Sequence, residues 1–140
     1  MDKLESYLDF FEFSRELEGV VKCKDEKLYK NIFSARFRVL FFLHRAGSAT
    51  ATELVNRLMM QKSNVASMCK ELKKRNLILC KESERDRRVV YYSLSKLGER
   101  RVLEIVEDYK KILEGAFGKE NAQIVSEHFA QINKIFKENL

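Results

Sequence analysis

Two short, mostly apolar runs that contain β-branched or aromatic residues, separated by an almost entirely charged segment, interrupt a sequence that otherwise follows helical spacing. The runs lie at residues 77–80 and 89–94, and the charged segment between them spans residues 81–88. Strand-forming residues on both sides of a polar connection predict a β-hairpin. A loop with this many charges is too polar to lie in a core, so the hairpin must point its tip into solvent.

The rest of the chain is predicted to be helical. It has no proline and only 5 glycines among 140 residues, so few positions can interrupt a helix. We expect a first helix over about residues 2–17, a polar connection over 20–30, and a buried central helix over about 31–45 that ends at Gly47. After the hairpin, apolar residues at helical spacing predict helices over about 95–118 and 120–139.

Two short helices are predicted directly before the hairpin. Thr50 and Glu53 have the spacing of an N-terminal capping box, and a second apolar stripe begins after a break at Met59. The residues expected to face the core are Ala51, Leu54 and Leu58 in the first helix and Val65, Met68, Cys69 and Leu72 in the second. Two short helices joined by a tight turn form a helix-turn-helix, and the hairpin after them makes it a winged helix.

The polar face of the second helix has the side chains needed to read DNA. Serine and asparagine can hydrogen-bond to base edges in the major groove, while lysines neutralise phosphates. This face consists of Lys62, Ser63, Asn64, Ser67, Lys70, Glu71 and Lys74. For this helix alone, the alternative is an ordinary solvated surface.

Arginines at the tip of the hairpin form a second group of predicted DNA contacts. Arg85, Arg87 and Arg88 surround Asp86. An arginine at a hairpin tip can enter the minor groove, and Asp86 is expected to form an ion pair that orients one guanidinium. The alternative is a charged turn with weak surface pairing.

The positive charge of the chain is concentrated around these predicted contacts. Residues 57–101 carry 13 Lys or Arg against 5 Asp or Glu, whereas the remaining residues carry 14 against 16. The whole excess behind the net charge of +6 therefore lies in the middle third. Such a block is typical of a surface that binds a polyanion, although a basic surface can also serve solubility alone.

The sequence around the hairpin resembles the MarR (multiple antibiotic resistance regulator) family. Residues 86–98, DRRVVYYSLSKLG, are similar to the family's wing signature, which is D-x-R, a strand, Leu-Thr/Ser and a helix start that contains glycine. ATELV at 51–55 resembles its first helix-turn-helix helix, and LKKRNLI at 72–78 resembles the end of its recognition helix. Asn76 stands where the family usually has glycine, a mild change because asparagine tolerates the left-handed conformation. The resemblance covers about residues 31–117.

The resemblance implies a mostly α-helical winged helix with a small β-hairpin, flanked by N- and C-terminal dimerisation helices. The implied domains are residues 1–30 (dimerisation helix and connection), 31–98 (DNA-binding lobe) and 99–140 (C-terminal dimerisation helices). Arg88 would enter the minor groove with Asp86 as its partner, and Arg85 and Arg87 would contact phosphates or be alternates to Arg88. The surplus of apolar residues in the terminal segments agrees with a dimer.

The implied function is that of a transcription regulator. Such a homodimer would bind a pseudo-palindromic site in double-stranded DNA, most simply as a repressor. A small-molecule effector would bind between the dimer helices and the DNA-binding lobe, where the aromatic residues Phe33, Phe37 and Phe41 are equally explained as core. The alternative function is a winged helix that binds an acidic protein partner.

Other chemistry has little support in the sequence. Gly-rich phosphate loops, zinc-protease motifs and nucleophile motifs are absent, so we do not expect an enzyme or a cofactor. His44 and His128 are far apart and have no ligand-spaced neighbour, which argues against a metal site. The chain lacks a signal-peptide core and an apolar run of membrane-spanning length, so a cytoplasmic protein without membrane association is expected.

The three cysteines do not form a disulfide framework. Cys69 and Cys80 are expected to be small core residues, because Cys69 lies on the apolar face of the second helix and Cys80 lies on a strand. Cys23 lies between Lys22 and Lys24, whose charges can lower the pKa of a thiol, and it is the one cysteine with a possible redox role.

Overall fold

A computed structural model describes residues 3–140 of the chain. Met1 and Asp2 lie outside the described residues, so the predicted start of the first helix at about residue 2 is not described. The elements are α1 (Lys3–Lys24), α2 (Glu26–Ile32), α3 (Ala35–Ala46), β1 (Ala49–Thr50), α4 (Ala51–Leu58), α5 (Lys62–Lys74), β2 (Ile78–Glu82), β3 (Val90–Leu94), α6 (Lys96–Phe117), a 3-10 turn (Lys119–Asn121) and α7 (Ala122–Glu138). The predicted fold class, a mostly helical chain with a winged helix-turn-helix, is confirmed.

The polar connection predicted over residues 20–30 is wrong. Helix α1 continues to Lys24, and α2 begins after a single residue, Asp25. The Asp25 carboxylate caps α2 by accepting a hydrogen bond from the Leu28 N–H at 2.9 Å. Only Val21 and Leu28 are buried in this stretch. Two core positions among charged neighbours are too few to show a helical period in the sequence.

The predicted central helix also begins later than expected. Residues 31–32 belong to α2, and the Ser34 side chain caps α3 by accepting a hydrogen bond from the Phe37 N–H at 3.1 Å. Gly47 ends the helix with a positive φ of 86°, as predicted for a C-terminal glycine.

The predicted hairpin is part of a three-stranded antiparallel sheet with the order β1-β3-β2. Ile78 lies opposite Leu94 at its base, and Glu82 lies opposite Val90 near its tip. Strand β1 has two residues and pairs Ala49 with Tyr92. The sequence did not predict β1, because a two-residue strand is too short to show alternation.

The core of the winged-helix lobe lies where α3, α4, α5, the sheet and α6 meet. Its most deeply buried side chains are Val39, Leu43, Leu54, Val65, Leu72, Ile78 and Val102. Of the predicted core positions, Cys69 is also buried, whereas Ala51, Leu58 and Met68 are half-buried. Burying a large aliphatic side chain contributes about 1.5–3 kcal/mol, so this cluster holds α5 against the lobe.

The terminal helices have few buried residues. None of the residues of α7 is buried, and Val21 is the only buried residue of α1 among the described residues. The Phe13 ring joins α1 to the other two long helices, with centroid distances of 5.8 Å to Phe117 and 6.1 Å to Phe129. Nowhere in residues 3–140 does a helix combine the length and the apolar content needed to cross a membrane.

Candidate nucleic-acid interface

Hydrogen bonds order both ends of α4, the first helix of the helix-turn-helix. Thr50 Oγ1 accepts a hydrogen bond from the Glu53 N–H at 3.2 Å, and the Thr50 hydroxyl donates to the Glu53 carboxylate at 3.4 Å. Met59 ends α4 in the left-handed conformation with φ 52°. Arg38 of α3 donates a hydrogen bond to the Leu58 carbonyl, an acceptor left free at the end of the helix.

The outward-facing stripe of α5 follows from its buried stripe. Val65, Cys69 and Leu72 point into the core. With 3.6 residues per turn, the positions on the side opposite the core stripe are Ser63, Ser67, Lys70 and Lys74. All four are exposed and form one line along the helix. Lys62 and Asn64 are also exposed and lie on the two flanks of this stripe. Two hydroxyls at the N-terminal end of the helix are thus followed by two ammonium groups.

Glu71, which the sequence placed on the same face, is engaged by two arginines. Its Oε1 lies 2.7 Å from Arg36 Nη2 and 3.1 Å from Arg75 Nη2. It is half-buried on the flank that faces α3. Sequence reasoning missed Arg36, which lies 35 residues away on another helix, and no local spacing connects the two.

The end of α5 is attached directly to the base of the wing. Asn76 adopts the left-handed conformation, with φ 62°, that the sequence predicted. The Ser95 hydroxyl donates a hydrogen bond to the Asn76 carbonyl at 2.6 Å and accepts one from the Gly98 N–H at 3.0 Å. One side chain therefore joins the exit of α5 to the first turn of α6.

The tip of the wing, residues 83–89, is a closed turn ordered by its own polar groups. The Ser83 N–H donates to the Val89 carbonyl at 2.8 Å, and the Val89 N–H donates to the Asp86 carbonyl at 3.0 Å. Asp86 Oδ1 also accepts from the Arg88 N–H at 3.0 Å. These bonds give the charged tip a defined backbone without burying any of it.

Asp86 and Arg88 form a two-point ion pair at this tip. Arg88 Nε donates to Oδ1 at 3.1 Å, and Nη2 donates to Oδ2 at 3.2 Å. The guanidinium, and after it the Arg88 backbone N–H, lowers the pKa of Asp86 from its ordinary value. The Arg88 side chain is 91% exposed, so its other N–H groups can donate to a ligand. Arg85 and Arg87 are exposed beside it.

The remaining titratable residues do not form a second site in the described part of the chain. Across residues 3–140, no group of three or more His, Cys, Asp or Glu side chains is arranged to hold a metal ion. His44 contacts the carboxylate of Glu99. Burial, followed by the nearby Cys80, raises the pKa of the Cys69 thiol to about 11, whereas Cys23 is exposed.

The sequence is similar to that of transcription regulators, both within the winged-helix lobe and over nearly the whole chain. Residues 33–90 match the model of the MarR family. Over 134 residues, the chain is 22% identical to YwhA of Bacillus subtilis (strain 168), described as an uncharacterized HTH-type transcriptional regulator, and the match covers 96% of both chains.

Solved structures share the fold over nearly the whole chain. A mutant of MepR from a multidrug-resistant S. aureus clinical isolate superposes with a TM-score of 0.73 and 18% identity, covering 100% of each chain. A different S. aureus MepR mutant, bound to an oligodeoxyribonucleotide, gives 0.64 at 19% identity, covering 94% of this chain and 97% of that one. NadR in complex with 4-hydroxyphenylacetate gives 0.61 at 19% identity, covering 89% and 92%.

Proposed function

We propose, from the match of residues 33–90 to the model of the MarR family, that the chain is a transcription regulator that binds a specific double-stranded DNA site as a homodimer. We further propose that it represses by occupying a promoter and that an effector releases it. The proposed DNA-binding lobe is residues 31–98, between dimerisation segments 1–30 and 99–140. One observation carries the proposal: the outward stripe of α5 and the Asp86–Arg88 pair lie on consecutive elements of one lobe, within the basic third of the chain.

In this proposal α5 enters the major groove and the wing reaches the adjacent minor groove. Ser63, Asn64 and Ser67 contact base edges, because their side chains both donate and accept hydrogen bonds. Phosphates are bound by Lys62, Lys70, Lys74, Arg85 and Arg87. Arg88 enters the minor groove with its direction fixed by Asp86. The MepR mutant with a bound oligodeoxyribonucleotide supports this use of the shared fold.

The apolar faces of the terminal helices support the proposed dimer. The large apolar residues exposed there include Tyr7, Leu8, Phe10 and Phe11 in α1 and Ile124, Phe129, Ile132, Ile135 and Phe136 in α7. A helix of this length with no buried residue gains little stability from packing within the single chain, so we expect the apolar face of α7 to pack against another protein surface. A second copy of the chain supplies a matching apolar face, and two-fold symmetry then leads to a pseudo-palindromic DNA site.

A cavity beside α5 supports the proposed effector release. It measures about 310 Å³ and is lined by residues of α2, α3, α5 and α6, among them Phe37, Leu40, Met68 and Ile105. A ligand there would touch α5 through Met68 and the long α6 through Ile105, so binding can alter the position of α5. NadR, which shares the fold, was solved with 4-hydroxyphenylacetate bound.

The DNA proposal is tested by selecting duplexes from a random pool with the full chain and measuring binding against salt concentration. The logarithm of the binding constant should fall steeply and linearly with the logarithm of the salt concentration, because several phosphates are neutralised per subunit. Selected duplexes should share a two-fold related pair of half-sites. Absence of any complex with micromolar DNA at low salt would contradict the proposal and favour an acidic protein partner.

A further inference from the structure

Glu71 occupies an unusual position for an acidic residue on a helix proposed to enter DNA. It is the one Asp or Glu in α5, which also carries Lys62, Lys70, Lys73 and Lys74. Both of its arginine partners use the same oxygen, Oε1. The Nε of Arg36 is buried and has no hydrogen-bond partner among the described residues. A single carboxylate thus restrains two guanidinium groups from different elements.

The ion pair adds little to the stability of the fold. The Arg36 and Glu71 side chains are 41% and 36% exposed, and ion pairs with this exposure contribute little to stability because water and salt screen them. Its geometry suggests another role. The core residues attach α5 to the lobe along one stripe, and the Arg36 contact attaches it on a flank of that stripe. Two attachments at different angles restrict rotation of the helix about its own axis.

We propose that Glu71 is a specificity-determining positioning residue, which fixes the rotation of α5 and holds Arg36 and Arg75 away from the DNA backbone. This inference rests on the proposed function. A helix that rotates by a fraction of a turn moves Ser63, Asn64 and Ser67 out of register with base edges, because hydrogen bonds require close alignment. The lysines bind phosphates as mobile point charges and tolerate the same rotation.

The negative charge of Glu71 also favours binding to the specific site over binding to other sequences. Without it, two guanidinium groups lose their partner and become available to any phosphate, and one negative charge no longer repels the DNA. Phosphate contacts carry no sequence information, so they raise affinity for every duplex alike. Glu71 therefore lowers total affinity for DNA and increases the difference between the specific site and other sequences.

The test compares two fluorescein-labelled duplexes, one enriched from a random pool by the wild-type chain and one with the same bases shuffled. Glu71→Gln should bind the shuffled duplex roughly 3- to 10-fold more tightly, since about one phosphate contact is gained. Its preference for the enriched duplex should fall about tenfold, comparable to the loss of one good base contact. Glu82→Gln, at an exposed site in the same basic region, is the matched control and should leave the preference unchanged.

A charge exchange separates positioning from a general structural role. Arg36→Glu and Glu71→Arg should each lower the preference. The double variant restores the pair with reversed signs, so it should recover the part of the preference that depends on the rotation of α5, whereas the part that depends on Arg75 should stay lost because Arg75 has no carboxylate at position 71. Thermal unfolding should be nearly the same for all variants.

Three outcomes would overturn the inference. A wild-type protein that binds the two duplexes equally overturns the proposed function and the inference together. If the wild type discriminates and Glu71→Gln discriminates equally well, the inference alone fails. A parallel loss of affinity for both duplexes with a lower melting temperature assigns Glu71 a purely structural role.

Discussion

The backbone of Gly98 lies so close to Leu77 that a Cβ added at Gly98 would overlap the Leu77 carbonyl oxygen and lie 3.1 Å from its carbonyl carbon. The same carbonyl accepts a hydrogen bond from the Ser95 N–H at 3.1 Å. The first turn of α6 therefore rests directly on the residue that connects α5 to β2. Only glycine allows this contact, so the glycine in the sequence motif that follows the wing has a steric cause.

Gly98→Ala should destabilise the protein by about 1–3 kcal/mol or more, because the methyl group forces the backbone of α6 or β2 to move. Urea unfolding followed by circular dichroism measures the change. Gly115→Ala is the matched control in the same helix, where a new Cβ meets nothing within 4 Å. It should raise stability by up to about 1 kcal/mol, since alanine is the better helix former. Equal stability of the two variants would contradict the contact.

The sequence predicted those parts of the fold and site that depend on local spacing. The core stripe of α5 repeats every three or four residues, and the Asp86–Arg88 pair joins residues two apart. Both are visible in the order of residues alone. The left-handed conformation of Asn76 follows from its place after the last turn of a helix.

The parts that were missed depend on residues distant in sequence or on elements too short to have a period. Arg36 meets Glu71 across 35 residues, so the sequence assigned Glu71 to the open face. Strand β1 exists because Ala49 and Thr50 lie beside β3, and nothing in two residues indicates this. Helix α2 is too short and too charged to show a stripe around its single buried residue, Leu28.

Arg88→Ala should weaken binding to the selected duplex roughly tenfold or more, because a specific minor-groove contact is lost. Fluorescence anisotropy at fixed salt measures the change. Arg87→Ala, one position away and also exposed, is the comparison. It should weaken binding to selected and shuffled duplexes alike, as expected for a phosphate contact. An Arg88→Ala variant with wild-type affinity would show that the wing points away from DNA.

The ion pair between Asp86 and Arg88 predicts a pH dependence. Because the pKa of Asp86 is lowered in the folded chain, its contribution to stability is present above the ordinary pKa of an aspartate and is lost as pH falls through the folded value. An NMR titration of the carboxyl carbon should show the lowered pKa, and Arg88→Ala should raise it. A pKa that does not change in Arg88→Ala would contradict the ion pair.

Asp86→Asn is the control for this pH dependence. It retains an oxygen that can accept the Arg88 N–H but has no charge to titrate, so the acid-dependent loss of stability attributed to this pair should be absent. Urea unfolding at several acidic pH values compares the two proteins. An unchanged acid dependence in Asp86→Asn would assign that loss to other carboxylates.

Cys69 should resist thiol reagents while Cys23 reacts. Burial raises the pKa of Cys69 to about 11, so near neutral pH almost none of it is thiolate, whereas Cys23 is exposed. Mass spectrometry after brief iodoacetamide treatment measures both sites. Rapid labelling of Cys69 in the folded protein would contradict its burial.

The raised pKa of Cys69 also gives the sign of an alkaline effect. The stability contributed by the neutral thiol is complete below the ordinary thiol pKa of 9.0 and is lost as pH rises through the folded value of about 11. This alkaline loss should be smaller in Cys69→Ala, which has no thiol to ionise.

Ile132→Glu should convert the proposed dimer into monomers or aggregates. Ile132 lies on the exposed apolar stripe of α7, and a carboxylate there cannot be buried against a second copy without a large desolvation cost. Gln131→Glu introduces the same charge at the neighbouring polar position and should leave the dimer intact. Light scattering coupled to size-exclusion chromatography gives the mass of each variant.

Removal of residues 1–17, which takes away the exposed apolar side chains of α1, should have the same effect as Ile132→Glu. The reason is the same, because Tyr7, Leu8, Phe10 and Phe11 are exposed in the single chain and a second copy would cover them. A truncated protein that remains a soluble dimer would show that α1 is not part of the dimer interface. An Ile132→Glu variant that remains dimeric would show that this face of α7 is not part of that interface.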